Sequence, residues 1–298
     1  MKFKKICSVF LLSTLILTGC SKPSKDESAN KESNNNVKVV SATVAATQVL
    51  DKLDATLVGI PTTKSELPEK YKNLPEVGQA MNPDLEIVAS LEPDVFIVDS
   101  MFKENVEKSM KEYNLDTFYF ETGTYTKFLK SIENLGNKIN KQDEAKKLLK
   151  ELKGVEESVV EKSKKQDKKP RVAILFGGGN NFMLATKSSY LGDLVKTVGA
   201  ENIADNLTDS VDSDYIQFSL EQIIKENPDY ILRFAHGNIE ETKKAFDDSF
   251  DKNPAWDTLS AVKNGKVIDL DSSIFNVSAN IHVKDSINKL GDILYGDK

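Results

Sequence analysis

Leu85-Glu86-Ile87-Val88, followed by Pro93-Asp94 and then Val95-Phe96-Ile97-Val98, returns later as Leu220-Glu221-Gln222-Ile223, Pro228-Asp229 and Tyr230-Ile231-Leu232. The two copies are 135 residues apart throughout. Each reads as a short helix, a Pro-Asp stop and a buried strand. One supersecondary unit occurring twice in the same order is what two lobes of one architecture leave in a sequence.

Outward from the first copy, strands are expected over 37–40, 57–60 and 117–120, with helices over 43–53 and 104–113. After Pro170 the pattern restarts: strands over 171–176 and 266–270 accompany the one at 230–234, and helices cover 191–198 and 220–226. Strands alternating with helices predict a parallel α/β sheet. Between the halves, Leu148, Leu152, Val155 and Val159 step by four, three and four, which is one face of a helix over 142–165. Its other face is Lys and Glu. Such a helix would run about 36 Å and join the halves stiffly.

Composition bounds the function. The chain has 298 residues, 39% hydrophobic and 29% charged, with a net charge of −6. That balance belongs to a folded globular protein and excludes a polytopic membrane protein. No basic patch with interleaved aromatics occurs, so nucleic acid is not an expected partner. Cys7 and Cys20 are the only cysteines, which excludes a disulfide-stapled fold and a Cys-based zinc site.

The N-terminus reads as a processing segment. Lys2, Lys4 and Lys5 precede an apolar run over 6–17, too short to cross a hydrocarbon core of about 30 Å. Leu17-Thr18-Gly19-Cys20 resembles the lipobox of bacterial lipoproteins, in which cleavage precedes the Cys and its sulfur is acylated. A run of Ser, Lys, Asn, Asp and Glu over 21–36 follows and reads as a flexible tether. The expected division is a signal peptide at 1–19, lipid anchor and tether at 20–36, an N-terminal lobe at 37–141, a linking helix at 142–169 and a C-terminal lobe at 170–298.

Val77-Gly78, Asn82-Pro83-Asp84-Leu85-Glu86 and Leu91-Glu92-Pro93-Asp94, together with the lipobox, resemble class III ABC-transporter substrate-binding proteins. This is the family of cobalamin, siderophore and heme receptors. Closer similarity to its heme-receptor lipoproteins lies in Leu50-Asp51-Lys52-Leu53-Asp54, in Leu67-Pro68 through Met81, in Tyr190-Leu191-Gly192-Asp193-Leu194-Val195-Lys196 and in Ile231 through Gly237. The resemblance covers essentially all of 37–297. It implies an α/β fold of two Rossmann-like lobes joined by a single long backbone helix, with the ligand cleft between the lobes. It also implies a binding protein rather than an enzyme.

In the heme-receptor branch one Met and one His, from different lobes, hold the iron. By position these are Met81 and His236. Thioether and imidazole are a known axial pair for low-spin heme iron. His236 follows a predicted strand directly, where α/β folds bind ligands. Internal symmetry favours another residue: Met101 lies 135 before His236. His282, the remaining His, precedes Lys284 and Asp285 near a helix start and reads as a surface residue. Apart from the signal segment the chain holds two Arg, Arg171 and Arg233, both in predicted strands, so no Arg clamp is expected for the heme propionates. The resemblance assigns that role to Ser41-Ala42-Thr43-Val44, whose helix N-terminus offers free N–H groups to an anion. It further implies that Glu86 and Glu221, one per lobe, dock onto Arg residues of a permease.

The implied function is a lipid-anchored receptor on the outer face of the cell membrane. It would capture heme b, as transported ligand, and pass it to an ABC permease and its ATPase for iron acquisition, receiving it from surface heme-transfer proteins upstream. A ferric siderophore or corrinoid receptor is the alternative within the family. A zinc or manganese receptor would need several converging His and carboxylates, and only two His exist. A lipid-anchored hydrolase lacks a Gly-x-Ser-x-Gly elbow. Gly177-Gly178-Gly179-Asn180-Asn181 matches neither a dinucleotide fingerprint nor a P-loop and reads as a turn at the mouth of the second lobe.

Acylation at Cys20 is directly testable. Cys20→Ala should move the protein from the membrane fraction to the soluble one, and mass spectrometry should find lipid on the wild-type N-terminus. Unchanged membrane association and an unlipidated wild-type N-terminus would refute it.

Overall fold

The protein is represented by a computed structural model that describes residues 36–179, 181–207 and 213–296. The expected signal peptide, Cys20 and the tether up to residue 35 lie outside the described residues. The described residues form one compact unit. Among them, no helix is long and apolar enough to cross a membrane.

The first half runs β1 (Lys38–Ser41), α1 (Val44–Lys52), β2 (Thr56–Gly59), a small hairpin of β3 (Gly78–Gln79) and β4 (Asn82–Pro83), α2 (Leu85–Ser90), β5 (Val95–Asp99), α3 (Lys103–Glu112), β6 (Thr117–Phe120) and α4 (Tyr125–Lys138). Its sheet has the order β2-β1-β5-β6 and is parallel throughout. Both faces are covered, so its strands read as continuous apolar runs. Val95 and Ile97 point into one core, Phe96 and Val98 into another.

The second half runs β7 (Arg171–Gly178), β8 (Asn181–Ala185), α6 (Tyr190–Thr197), β9 (Glu201–Asn202), β10 (Tyr215–Gln217), α7 (Leu220–Glu226), β11 (Tyr230–Ala235), α8 (Ile239–Lys252), α9 (Ser260–Lys263), β12 (Val267–Asp269) and α10 (Val283–Tyr295), after α5 (Gln142–Ser163). Its sheet has the order β10-β8-β7-β11-β12, with β9 beside β7. The strands β7, β11 and β12 are parallel as expected. The hairpin β7–β8 and the pair β8–β10 are antiparallel, so this half is not a plain copy of the first. Gly177 and Gly178 complete β7 rather than forming a mouth turn, and the chain reverses beyond them at Gly179 (φ 62°).

The Pro-Asp repeat has one structural cause. Asp94 N–H donates to Lys38 O (2.9 Å) while its carboxylate accepts from Lys38 N–H (2.7 Å). Asp229 does the same to Arg171, at 2.8 and 3.0 Å. Each Asp closes the ladder one residue before its strand and fixes the register of the central pair, β1–β5 or β7–β11. The helix before it is capped in both copies: Asp84 accepts from Glu86 and Ile87 N–H, and Ser219 from Gln222 N–H. Such caps contribute about 1 kcal/mol. The residues before the two prolines, Glu92 and Asn227, both take the left-handed conformation that ends a helix (φ 47° and 44°).

Helix α5 spans 22 residues, about 33 Å, and links the two sheets. It ends at Ser163, two residues earlier than the sequence pattern suggests, and buries Ala145, Leu148, Leu152 and Val159. Two glycines let its neighbours come close: a Cβ at Gly136 of α4 would lie 2.5 Å from Ala145 Cβ, and one at Gly291 of α10 would lie 2.8 Å from Val159. Leu148 and Leu152 belong to a core containing Val39 and Ile97 from the first sheet and Ile174 and Phe234 from the second. Polar ties cross as well. Thr126 N–H at the start of α4 donates to Asp193 in α6 (2.9 Å), and Ala279 N–H donates to Thr122 O (2.8 Å).

Leu152→Ala should therefore cost about 2–5 kcal/mol. Since the core is shared, urea should shift a single transition seen equally by probes in either half. Two separated transitions would show that the halves melt independently.

Candidate functional site

The expected iron ligands and the competing Met101 lie in turns or just past the carboxyl ends of strands. His236 comes directly after β11, and its N–H extends the β7–β11 ladder by one bond to Gly177 O (3.0 Å). Its side chain is exposed. Phe176 and Phe234 are register partners on β7 and β11. With a two-residue period along each strand, Phe176, Phe234 and His236 share one face of the sheet. The His236 ring lies 6.1 Å from that of Phe176 and 6.4 Å from that of Phe234, centroid to centroid. Tyr215 of β10 reaches the same cluster, 4.4 Å from Phe176. Burial pushes the Tyr215 hydroxyl up to about 12, and the neighbouring Asp214 charge adds to the shift.

Met81 is at the turn of the β3–β4 hairpin, where Gly78 pairs with Pro83 and Gln79 with Asn82. The hairpin is fastened to the first half by Val77 N–H to Ile60 O (2.9 Å), Thr62 N–H to Gly78 O (2.8 Å) and Asp84 N–H to Val77 O (2.8 Å). The Met81 side chain is 63% exposed on this fixed base. Met101 is 74% exposed, in a 3-10 turn over Ser100–Phe102 after β5. Asp99 holds that turn, accepting from Met101 N–H (2.9 Å) and the Thr122 hydroxyl (2.8 Å). Burial raises the Asp99 carboxyl above the ordinary carboxylate range. Both thioethers are thus presented outward, each from a hydrogen-bonded turn.

The segment 41–44 divides in two. Ser41 and Ala42 are fully buried. The Ser41 hydroxyl donates to Thr43 O and accepts from the Thr47 hydroxyl, both at 3.0 Å, and Ala42 N–H donates to Ile97 O (2.9 Å). These groups brace the turn and are committed. Thr43, also buried, is the N-cap of α1, and its side chain makes no capping bond; only Val44 is partly exposed. The first-turn amides, beginning with Val44, therefore remain open to an external acceptor.

Both Arg are paired with carboxylates. Arg171 pairs with Glu226 and Glu201, and Arg233 bonds Asp269 in two places (2.6 and 2.8 Å) and pairs with Asp247 (2.9 Å). His282 is on the surface, 3.9 Å from Asp285. Glu86 and Glu221 occupy matching first-turn positions, both exposed, and neither carboxylate has a hydrogen-bond or ion-pair partner among the described residues.

The aromatic group around His236 escaped sequence reading. The strand pattern places Phe176 and Phe234 in β strands, but only the β7–β11 register shows that they flank His236. Tyr215 reaches them from a three-residue strand that carries no sequence signal of its own.

Two α/β sheets, one linking helix and exposed side chains at strand ends define a substrate-binding architecture, and the profile of the periplasmic binding proteins matches residues 39–274. The chain belongs to this family, whose members bind solutes rather than transform them. It is 37% identical to the high-affinity heme uptake system protein IsdE of Staphylococcus aureus (strain MRSA252), over the full length of both chains. The crystal structure of S. aureus IsdE complexed with heme superposes with a TM-score of 0.73 at 37% identity, covering 87% of this chain and 99% of that one. An ABC transporter substrate-binding protein from Listeria monocytogenes EGD-e superposes with a TM-score of 0.77 at 34% identity, covering 88% and 100%.

Proposed function

We propose that the protein is the heme receptor of an ABC importer, holding one heme b between a lobe over 37–141 and a lobe over 170–298 joined by the segment 142–169. The observation that carries this reading is the full-length similarity to IsdE combined with an exposed thioether on one lobe and an exposed imidazole on the other. Met81 sulfur and a His236 ring nitrogen are the axial ligands. The four pyrrole nitrogens complete a six-coordinate, low-spin iron. The propionates face the first turn of α1, which begins at the buried Thr43 and whose uncapped amides, from Val44 N–H onward, offer donors in a field that favours anions. Ser41 and Ala42 support that turn from within. Cys20 carries the lipid that keeps the receptor at the membrane, and surface heme-transfer proteins supply it.

Absorption spectra of apoprotein mixed with heme test the assignment. One equivalent should bind with a low-spin six-coordinate spectrum. His236→Ala should weaken binding more than Met81→Ala, because imidazole is the stronger ligand for ferric iron; each tenfold loss corresponds to about 1.4 kcal/mol. Met81→Ala should keep heme with an altered spin state. If Met101→Ala changes the spectrum and Met81→Ala does not, the ligand follows the internal symmetry instead. Binding of a ferric siderophore or corrinoid in place of heme would overturn the reading.

Delivery follows from Glu86 and Glu221. Two unpaired carboxylates, one on each lobe, suit two Arg-bearing loops of a permease dimer, since carboxylate–Arg pairs are often bidentate and set orientation. Glu86→Ala and Glu221→Ala should keep the heme spectrum but lose heme transfer to the permease and its ATPase in proteoliposomes, and the double charge reversal should be worse than either. As first-turn residues they contribute at most about 1 kcal/mol to their helices, so folding should survive. Normal transfer by the double mutant would return both to a purely structural role.

A further inference from the structure

Axial ligation explains how iron is held but not how the ring is recognised. Phe234 is buried and closes the underside of the aromatic group beside His236. Phe176 lies 6.1 Å from it and is only half-buried, and Tyr215, also half-buried, lies 4.4 Å beyond. Beyond Phe176 on the same face the next strand residue is Gly178, which carries no side chain to cover its ring and has open space around it. The Tyr215 hydroxyl makes no hydrogen bond among the described residues. An aromatic pair packed against an apolar floor, left partly open, and beside an exposed imidazole is more than core packing requires.

We propose that Phe176 and Tyr215 form the aromatic wall against which a planar tetrapyrrole packs, so that the site binds the porphyrin ring itself as well as its metal. This rests on the heme reading and narrows its substrate class. A flat apolar macrocycle gains from ring-on-ring contact. A ferric siderophore wraps its iron in a non-planar, oxygen-rich shell and gains little. The Phe176 ring is inclined 31° to that of His236; an axial imidazole stands perpendicular to the porphyrin, so one ligand meets the imidazole at its metal and the edge of Phe176 at its ring, an edge-to-face contact that aromatic pairs favour. Tyr215 contributes its ring, and its hydroxyl is left to solvent or to the ligand edge.

Titration with metal-free protoporphyrin IX, followed by quenching of porphyrin fluorescence, separates the wall from the iron ligands. Wild-type protein should bind the metal-free ring. Tyr215→Ala and Phe176→Leu should raise the dissociation constant about tenfold, by a similar factor for heme and for the metal-free ring. Tyr215→Phe should restore affinity. The heme spectrum of Tyr215→Ala should keep its six-coordinate form, whereas His236→Ala should lose far more affinity for heme than for the metal-free ring. Circular dichroism checks each fold, and Tyr215→Leu replaces Tyr215→Ala if the latter unfolds. Binding of heme without any binding of the metal-free ring overturns the wall and leaves the heme reading intact. So does wild-type affinity for the metal-free ring in both Tyr215→Ala and Phe176→Leu. Failure of wild-type protein to bind heme at all overturns both.

Discussion

The apolar face of α5 is inserted between α4 and α10, and through it the two sheets come to share one core. Gly136 and Gly291 remove the side chains that would hold those helices off, so Ala145 and Val159 of α5 sit against backbone. Separating the halves would expose Leu148 and Leu152 together with the strand residues packed around them. Burial of this kind is worth about 25 cal/mol per Å² of apolar surface, which makes large opening costly. A single helix also lacks the paired loop hinges through which other receptors close. In the proposed receptor this shared core holds the two sides of the site against large opening, and selectivity rests on the side chains set there.

Those side chains are set by the Pro-Asp clamps. Asp94 and Asp229 fix the first residue of each central strand pair, and a strand of known register then ends at a known point. In the second half that point delivers His236, with Phe176 and Phe234 flanking it. In the first half it delivers the Asp99-held turn with Met101, and the separate β3–β4 hairpin carries Met81. The Pro-Asp unit is duplicated, but the sheets around it and the proposed ligand-binding groups differ: an imidazole with aromatics on one side, thioethers and an uncapped helix start on the other. Two chemically different faces suit the proposed ligand, which has a metal, an apolar ring and acidic groups.

Much of this was legible in the sequence because it depends on local chemistry. The capped helix, the left-handed residue before proline and the Asp clamp are short-range devices, so the repeat could be read without a structure. The strand at Thr117–Phe120 and the helix at Leu220–Glu226 have the bounds the apolar pattern gives. What was missed depends on long-range pairing. The antiparallel β8 and β10 are short and lie next to glycines or polar residues, and nothing in them announces a change of strand direction. The helix α4 was legible, since Phe128, Ile132 and Leu135 repeat at helical spacing, but it went unread between clearer signals. Ser41 and Ala42 looked like ligand-facing groups because their turn was correctly located; which hydroxyls and amides the turn consumes internally is decided only by Ile97 and Thr47.

Iron-edge X-ray absorption of the heme-loaded protein bears most directly on the proposed site. It counts the atoms around the metal without relying on a mutant that must fold. With Met81 and His236 as ligands, the iron should show four pyrrole nitrogens, one further nitrogen with imidazole scattering, and one sulfur. A shell without sulfur, or one completed by oxygen, would contradict the site described above.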